Sequence, residues 1–188
     1  MNSDYIPDWV TSDQHFYHKN IVKYCYRPGW VEEDYIRHND IMLIRWNHAV
    51  GPDDKVLHLG DLCFKKTNNK ERLEHLLKRL NGDITIILGN HDKNYKEWYQ
   101  SLGFKVIQPF FIMESGYKVY FTHYPKRELQ SNEMNIHGHI HNNSVGGLTS
   151  RHKNVSVEVT AFSPLPYESI LGGMLYRAKN AQPKDFDD

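Results

Sequence analysis

Cysteine is scarce: Cys25 and Cys63 are the only two in 188 residues. Two thiols make no disulfide framework, so a reducing compartment is expected and the fold must rest on core packing. Long apolar runs are missing as well, and none approaches the ~20 residues that a membrane-spanning helix needs. The opening Met1-Asn2-Ser3-Asp4-Tyr5 has neither the basic nor the apolar block of a secretion signal, so a cytoplasmic location is expected. Net charge is absent too: 23 Lys and Arg balance 23 Asp and Glu. That removes the electrostatic case for a dedicated nucleic-acid or membrane-surface protein. There is no repeat, no low-complexity tract and no linker. One domain over residues 1–188 is expected, with an acidic end, about 180–188, that frays.

Histidine, by contrast, is abundant at 12 residues, and many of these follow apolar runs. Ile84-Thr85-Ile86-Ile87-Leu88 reads as a buried strand and stops abruptly at Gly89-Asn90-His91-Asp92. Trp9–Ser12 leads in the same way into Asp13-Gln14-His15, and Lys55–Leu59 into Gly60-Asp61. Between these strands lie helical periodicities: His18–Tyr26, stopped by Arg27-Pro28-Gly29, then Glu32–Val50, Asn68–Leu80 and Asn94–Leu102. This rhythm predicts right-handed βαβ crossovers and a largely parallel sheet. The second half changes character. Short strands are expected at Val106-Ile107, Phe110–Glu114 and Lys118–Phe121, with Ser115-Gly116 as a hairpin turn. Thr122-His123 and Asn135–His141 are further strand ends, Asn142–Lys153 a loop, Asn154–Thr160 a half-buried strand and Ser169–Lys179 a last helix.

Five polar clusters thus stand at strand ends: Asp13/His15, Asp61, Asn90/His91/Asp92, His123 and His139/His141. Their donors are oxygen and imidazole nitrogen without thiolate, a set suited to Mn²⁺, Fe, Zn²⁺ or Ni²⁺ rather than to a structural zinc knot. On a strand, positions i and i+2 share a face, so Asp-x-His and His-x-His would each aim two side chains at one ion. Asp13, His15, Asp61, Asn90, His123, His139 and His141 make seven candidate ligands, more than one ion uses. Two ions sharing Asp61 would use them all, and ions ~3.5–4 Å apart form the clamp for in-line displacement at phosphorus.

Asp13-Gln14-His15, Gly60-Asp61, Gly89-Asn90-His91-Asp92, His123 and Gly138-His139-Ile140-His141, in that order, resemble the calcineurin-like metallophosphoesterase superfamily. The flanking residues resemble its small single-domain members from bacteria and their phages. The resemblance implies a four-layer α/β/β/α sandwich of two mixed sheets flanked by helices. It puts Asp13, His15, Asp61 and His141 on a first metal, and Asp61, Asn90, His123 and His139 on a second. Two divalent ions are implied, Mn²⁺ foremost, with Fe, Zn, Ni or Mg as alternatives, and a hydroxide between them as nucleophile. His91 is left to face the phosphoryl group and protonate the leaving alkoxide, with Asp92 orienting His91 or its own loop. In other branches of the superfamily a second Asp or a metal-binding Tyr follows the Gly-Asp block, whereas here the run is Gly60-Asp61-Leu62-Cys63-Phe64. Phe64 can be neither ligand, which shifts the expected substrate toward phosphodiesters or nucleotides. A nuclease acting on DNA or RNA is the alternative, and a non-catalytic scaffold a more distant one. If a phage encodes the chain, the cytoplasm is the host's.

His18, Asn20 and Tyr124 flank the ligand blocks and are candidate substrate contacts, with helix capping or packing as the plainer role. His58 is expected as a satisfied core histidine, His38, His48 and His75 on the surface, and His152 in a loop. His137 would share a face with the His-x-His pair. Glu158 is assigned only to sheet or support.

Overall fold

The structure, a computed structural model, describes residues 5–27 and 32–180. The Pro28-Gly29 helix stop and the acidic end from residue 181 lie outside the described residues. The chain runs β1 (Trp9–Thr11), α1 (Ile21–Tyr24), a 3₁₀ turn, α2 (Tyr35–Ala49), β2 (Lys55–His58), α3 (Lys70–Leu77), β3 (Asp83–Ile87) and α4 (Lys96–Ser101). The second half is β4 (Lys105–Ile107), β5 (Phe110–Glu114), β6 (Tyr117–Thr122), β7 (Glu133–His137), β8 (His152–Asn154), β9 (Leu165–Pro166) and α5 (Tyr167–Asn180). One sheet has the order β4-β3-β2-β1-β9 and the other β5-β6-β7-β8. Strands β1 to β4 are mutually parallel, with β9 antiparallel at the edge. In the second sheet β6, β7 and β8 are parallel and β5 is antiparallel. This is the α/β sandwich of two mixed sheets with flanking helices that the resemblance implies, and its first sheet is the largely parallel one that the strand–helix rhythm predicts.

The pleat decides which core each strand residue enters. Val56 packs with Met42, Leu43 and Trp46 of α2 and with Leu73, Leu76 and Leu77 of α3. Its neighbour Leu57 points the other way, into the core between the sheets, with Val10, Phe121, Met134 and Ile136. Ile86 and Ile87 divide in the same manner. Both faces of the first sheet are covered, so its strands are apolar runs rather than alternating ones. Phe110 and Phe121 stack at 5.0 Å across β5 and β6. Helix α5 adds Ile170 and Met174 to the inter-sheet core and forms in spite of Gly172-Gly173. No helix among the described residues is long and apolar enough to cross a membrane.

Four local expectations need correction. Helix α1 is one turn, not the eight or so residues its periodicity suggested, because Tyr26 takes a left-handed φ of 45° and the chain turns Arg27 inward. Residues 155–160 are not a strand. Here the chain passes between the sheets: Ser156 bridges Ser12, and a 3₁₀ turn follows at Val157–Val159. Val159 is consequently exposed while Val155 and Val157 are buried. His38 is buried, edge-on to Phe162 at 5.6 Å, because the buried face of α2 is wider than its charged neighbours imply. His152 lies in β8 with Nε2 2.8 Å from the Lys126 carbonyl. His58 is the satisfied core histidine expected, held by Gln14 Oε1 at 2.5 Å and accepting from the Gly60 amide at 3.1 Å.

Candidate metal centre

The five polar blocks converge just past the C-terminal ends of β1, β2, β3, β6 and β7, where ligands of open α/β sheets sit. The turns that carry them are unusual. Asp13, His15, Asp61, His139 and His141 have φ of 64°, 51°, 57°, 70° and 50°, a left-handed region that non-glycine residues enter at a cost and that clusters at functional sites. Long-range hydrogen bonds fix them: the Asp13 amide donates to the Gly60 carbonyl and the His15 amide to the Asp61 carbonyl, each at 3.0 Å. The pleat argument for Asp-x-His and His-x-His therefore does not apply, because none of the four lies in a strand. His139 and His141 instead diverge into different groups. Nor does His137 share their face: it lies in β7, with Nδ1 2.9 Å from the Gly138 carbonyl. Two glycines make the convergence possible. A Cβ on Gly89 would collide with Asp61 Oδ1, and one on Gly138 with Ser12 Oγ and Asp13 Oδ2.

Asp13, His15 and His141 form one group of converging donor atoms, and Asp61, His123 and His139 a second. Asp61 joins them: its Oδ2 is 3.6 Å from His15 Nε2 and 3.5 Å from His123 Nε2. Its other oxygen, Oδ1, is occupied by the His91 amide at 2.9 Å. Asp13 is divided likewise, Oδ2 accepting from the His139 amide at 2.9 Å and Ser156 Oγ at 3.0 Å, while buried Oδ1 has no hydrogen-bond partner. His15 Nε2 is also buried without a hydrogen bond. His123 donates from Nδ1 to the Leu59 carbonyl at 2.7 Å, which leaves a lone pair on Nε2 facing Asn90 Oδ1 at 2.9 Å. Two acceptors face to face, orphaned buried acceptors and a donor set of N and O are what a divalent cation satisfies.

The protonation pattern agrees. Burial pushes His15 well below the usual imidazole range and His123 down to about 4, so both are neutral donors near pH 7. Burial, with Asp92 and Asp13 adding repulsion, raises Asp61 to about 8, and burial raises Asp13 as well. The charge of His141, whose Nε2 is 3.9 Å from Asp13 Oδ1, draws both carboxylates down, but burial outweighs it. His141 is the exception. Burial would lower it, but contacts with Cys25 and Glu158 outweigh that and lift it to about 10.

A support layer lies behind the donors, and the sequence alone did not reveal it. Arg27 is only 2% exposed. Its Nε and Nη2 donate to Glu158 Oε1 at 2.9 and 2.7 Å, Nη1 donates to the Gln14 carbonyl at 3.0 Å, and Nη2 also donates to the Asp13 carbonyl at 2.9 Å. Glu158 Oε2 in turn lies 3.1 Å from His141 Nδ1. Cys25, His141 and Glu158 also converge, but Arg27 already neutralises Glu158, so that trio supports the first group rather than forming a third. Asp92 is buried and accepts from the Asp61 amide, from the Gly89 amide at 3.2 Å and from Tyr99 Oη at 2.8 Å. It ties the two ligand loops together and anchors them, through Tyr99, on α4.

His91 is exposed at the rim, its ring 5.0 Å from that of His15. Burial of part of the ring lowers its pKa. His18 borders the first group, 5.5 Å from His15 and 6.0 Å from His91 between ring centres. Tyr124, half exposed, borders the second at 4.3 Å from His139. Asn20 is exposed, its amide directed at Tyr24 Oη, and with His18 it lines a cavity beside the first group.

Fold and site together define an α/β sandwich with two adjoining clusters of candidate metal donors at its strand ends. The chain is 36% identical over 170 residues to the uncharacterized protein MJ1445 of Methanocaldococcus jannaschii, covering 87% of this chain and 88% of that one, and it belongs to the family of that protein. The crystal structure of a protein of unknown function, AQ665 from Aquifex aeolicus, has the same fold, with a TM-score of 0.69 and 25% identity over 87% of this chain and 97% of that one. A Pseudomonas putida nuclease, MPE, is a looser likeness at TM-score 0.47 and 19% identity, covering 70% of this chain and 60% of that one, too distant to bear on function. No protein-family model matches the chain.

Proposed function

We propose that the chain is a dimetal-dependent phosphoesterase of the metallophosphoesterase type, acting on phosphodiesters or nucleotides. One observation carries this reading: a single carboxylate oxygen, Asp61 Oδ2, stands within 3.6 Å of imidazole nitrogens from both donor groups. Asp13, His15, Asp61 and His141 would hold one ion, and Asp61, Asn90, His123 and His139 the other, Mn²⁺ being the first candidate. Two such ions would supply Lewis-acid charge for a phosphoryl group and a water acidic enough to attack it near neutral pH. The chain's own residues do the rest. His91, exposed and free of both groups, holds a non-bridging phosphoryl oxygen and donates a proton to the leaving alkoxide. Asp92 acts on the loops rather than on substrate: by accepting from the Asp61 and Gly89 amides it fixes Asp61 and the Asn90 turn relative to each other. Arg27 and Glu158 orient His141 and hold the Asp13-Gln14 turn, as outer carboxylates do for metal-binding histidines.

The test is a substrate panel in Mn²⁺, repeated with chelator: bis-p-nitrophenyl phosphate, the monoester, cyclic nucleotides and single-stranded oligonucleotides. Metal-dependent release from the diester or nucleotides is expected. Cleavage confined to oligonucleotides, falling steeply with salt, would make the chain a nuclease. No turnover in any arm would remove the proposal.

A further inference from the structure

A cavity of about 300 Å³ lies beside the donor cluster, lined in part by His18, Tyr35, Phe64, Lys66, Thr67 and Asn68. That is the lower end of the size range of small-molecule sites, ~300–1,000 Å³. His18 belongs to both places. Its ring is 5.5 Å from His15 and 6.0 Å from His91 on the cluster side, and 4.5 Å from Phe64 on the cavity side. Phe64 follows Asp61 by three residues; its amide is anchored on the Phe16 carbonyl at 2.8 Å, which fixes the backbone there, and its ring packs on that of His18. Tyr35 is fixed from the other element, its hydroxyl accepting from Asn69 Nδ2 at 2.7 Å. The lining therefore combines immobilised aromatic rings with hydroxyl, amide and ammonium groups. That composition suits a flat aromatic ring with hydrogen-bonding edges attached to an anion.

We propose that this cavity receives the nucleobase of a nucleotide ester whose phosphate lies at the donor cluster. The inference rests on the phosphoesterase reading for the phosphate and on the cavity for the base. Phe64, in this view, marks where the substrate is recognised: a position that holds no metal instead presents a stacking face.

The test compares adenosine 5′-monophosphate with ribose 5-phosphate by calorimetric titration of the full chain in Mn²⁺, carrying His91→Ala so that turnover does not intrude. Base stacking on an aromatic side chain is worth ~1–3 kcal/mol, so the nucleotide is expected to bind about 5- to 150-fold more tightly. Adding Phe64→Leu, which keeps bulk against His18 but removes the π-face, is expected to bring the two ligands within about twofold, with a thermal melt checking that this variant is folded. Equal affinities before Phe64 is changed, or no binding of either ligand, overturn the proposal without need of any variant. A preference that survives Phe64→Leu in a folded chain overturns it too. Turnover of the substrate panel above by the unaltered chain separates the two claims. A base preference without any turnover leaves the cavity assignment standing and sinks the phosphoesterase reading. Turnover without a base preference does the reverse.

Discussion

Replacing Arg27 by Met probes the support layer most sharply. The side chain fits a buried apolar slot, and Arg27 Nη1 already lies 3.6 Å from Met42 Sδ. The substitution strips both donated bonds from Glu158 and frees the carbonyls of Asp13 and Gln14. Removing one partner of a buried ion pair costs ~3–5 kcal/mol where the other charge is left uncompensated. His141, 3.1 Å from Glu158 Oε2, still offsets part of that charge, so the cost belongs at the lower end, ~3 kcal/mol. At ~2–4 °C per kcal/mol for a chain of this length, the melting temperature should fall by about 6–12 °C. Adding Glu158→Leu removes the stranded charge, so the double variant should be more stable than Arg27→Met alone by at least ~1 kcal/mol, with the two carbonyls still unpaired. Metal binding should separate from stability. Losing the carboxylate beside His141 should weaken one ion ~10–100-fold in the double variant, however well it folds. Urea unfolding and metal titration of wild type, single and double variants test this. An Arg27→Met cost below ~1 kcal/mol, or a double variant no more stable than the single, would refute the reasoning.

Two further outcomes follow from the same geometry. His91→Ala should lower turnover ~10²-fold or more while the chain still takes up metal, and unchanged turnover would remove His91 from the chemistry. Stability of the metal-free chain should peak near neutral pH. Below about 6.5 the buried histidines, among them His58 and His38 near 3 and His123 near 4, take up protons only on unfolding, so stability falls toward acid. His141 holds a proton the unfolded chain has lost from about 6.5 up to about 10, and Asp61 does so from about 4 up to about 8, so stability falls toward alkali above about 6.5 while Asp61 offsets part of the acid fall below it. Bound metal should abolish the alkaline fall, since both groups would then be deprotonated ligands. Melting curves between pH 5 and pH 9, with chelator and with Mn²⁺, check the shape, and an alkaline limb unaffected by metal would contradict it.

What could be read from the sequence was local. The run Ile84–Leu88 ending at Gly89 announces a buried strand and its tip, because burial on both faces needs continuous apolar residues and the close approach of Asp61 needs a glycine. The candidate ligands were legible for the same reason: each sits within a few residues of a strand end. How they converge was not. The left-handed turns at Asp13, His15, His139 and His141 are imposed by partners far along the chain, such as the Gly60 carbonyl for Asp13, and a two-residue spacing looks the same whether pleated or turned. Arg27 and Glu158 were invisible as a pair because 131 residues separate them. Arg27 looked like the end of a helix, and Glu158, read as a sheet or supporting residue, had no visible partner. His38 failed differently: charged neighbours on α2 say where the exposed face is centred, not how far it extends.

The central claim is that Asp61 joins two ions. Equilibrium dialysis against Mn²⁺ or Zn²⁺ with elemental analysis, on wild type and Asp61→Asn, measures it directly. Two ions per wild-type chain are expected, with loss of at least one, and of activity, in a folded Asp61→Asn chain. A single ion in wild type, or two retained by Asp61→Asn, would contradict it.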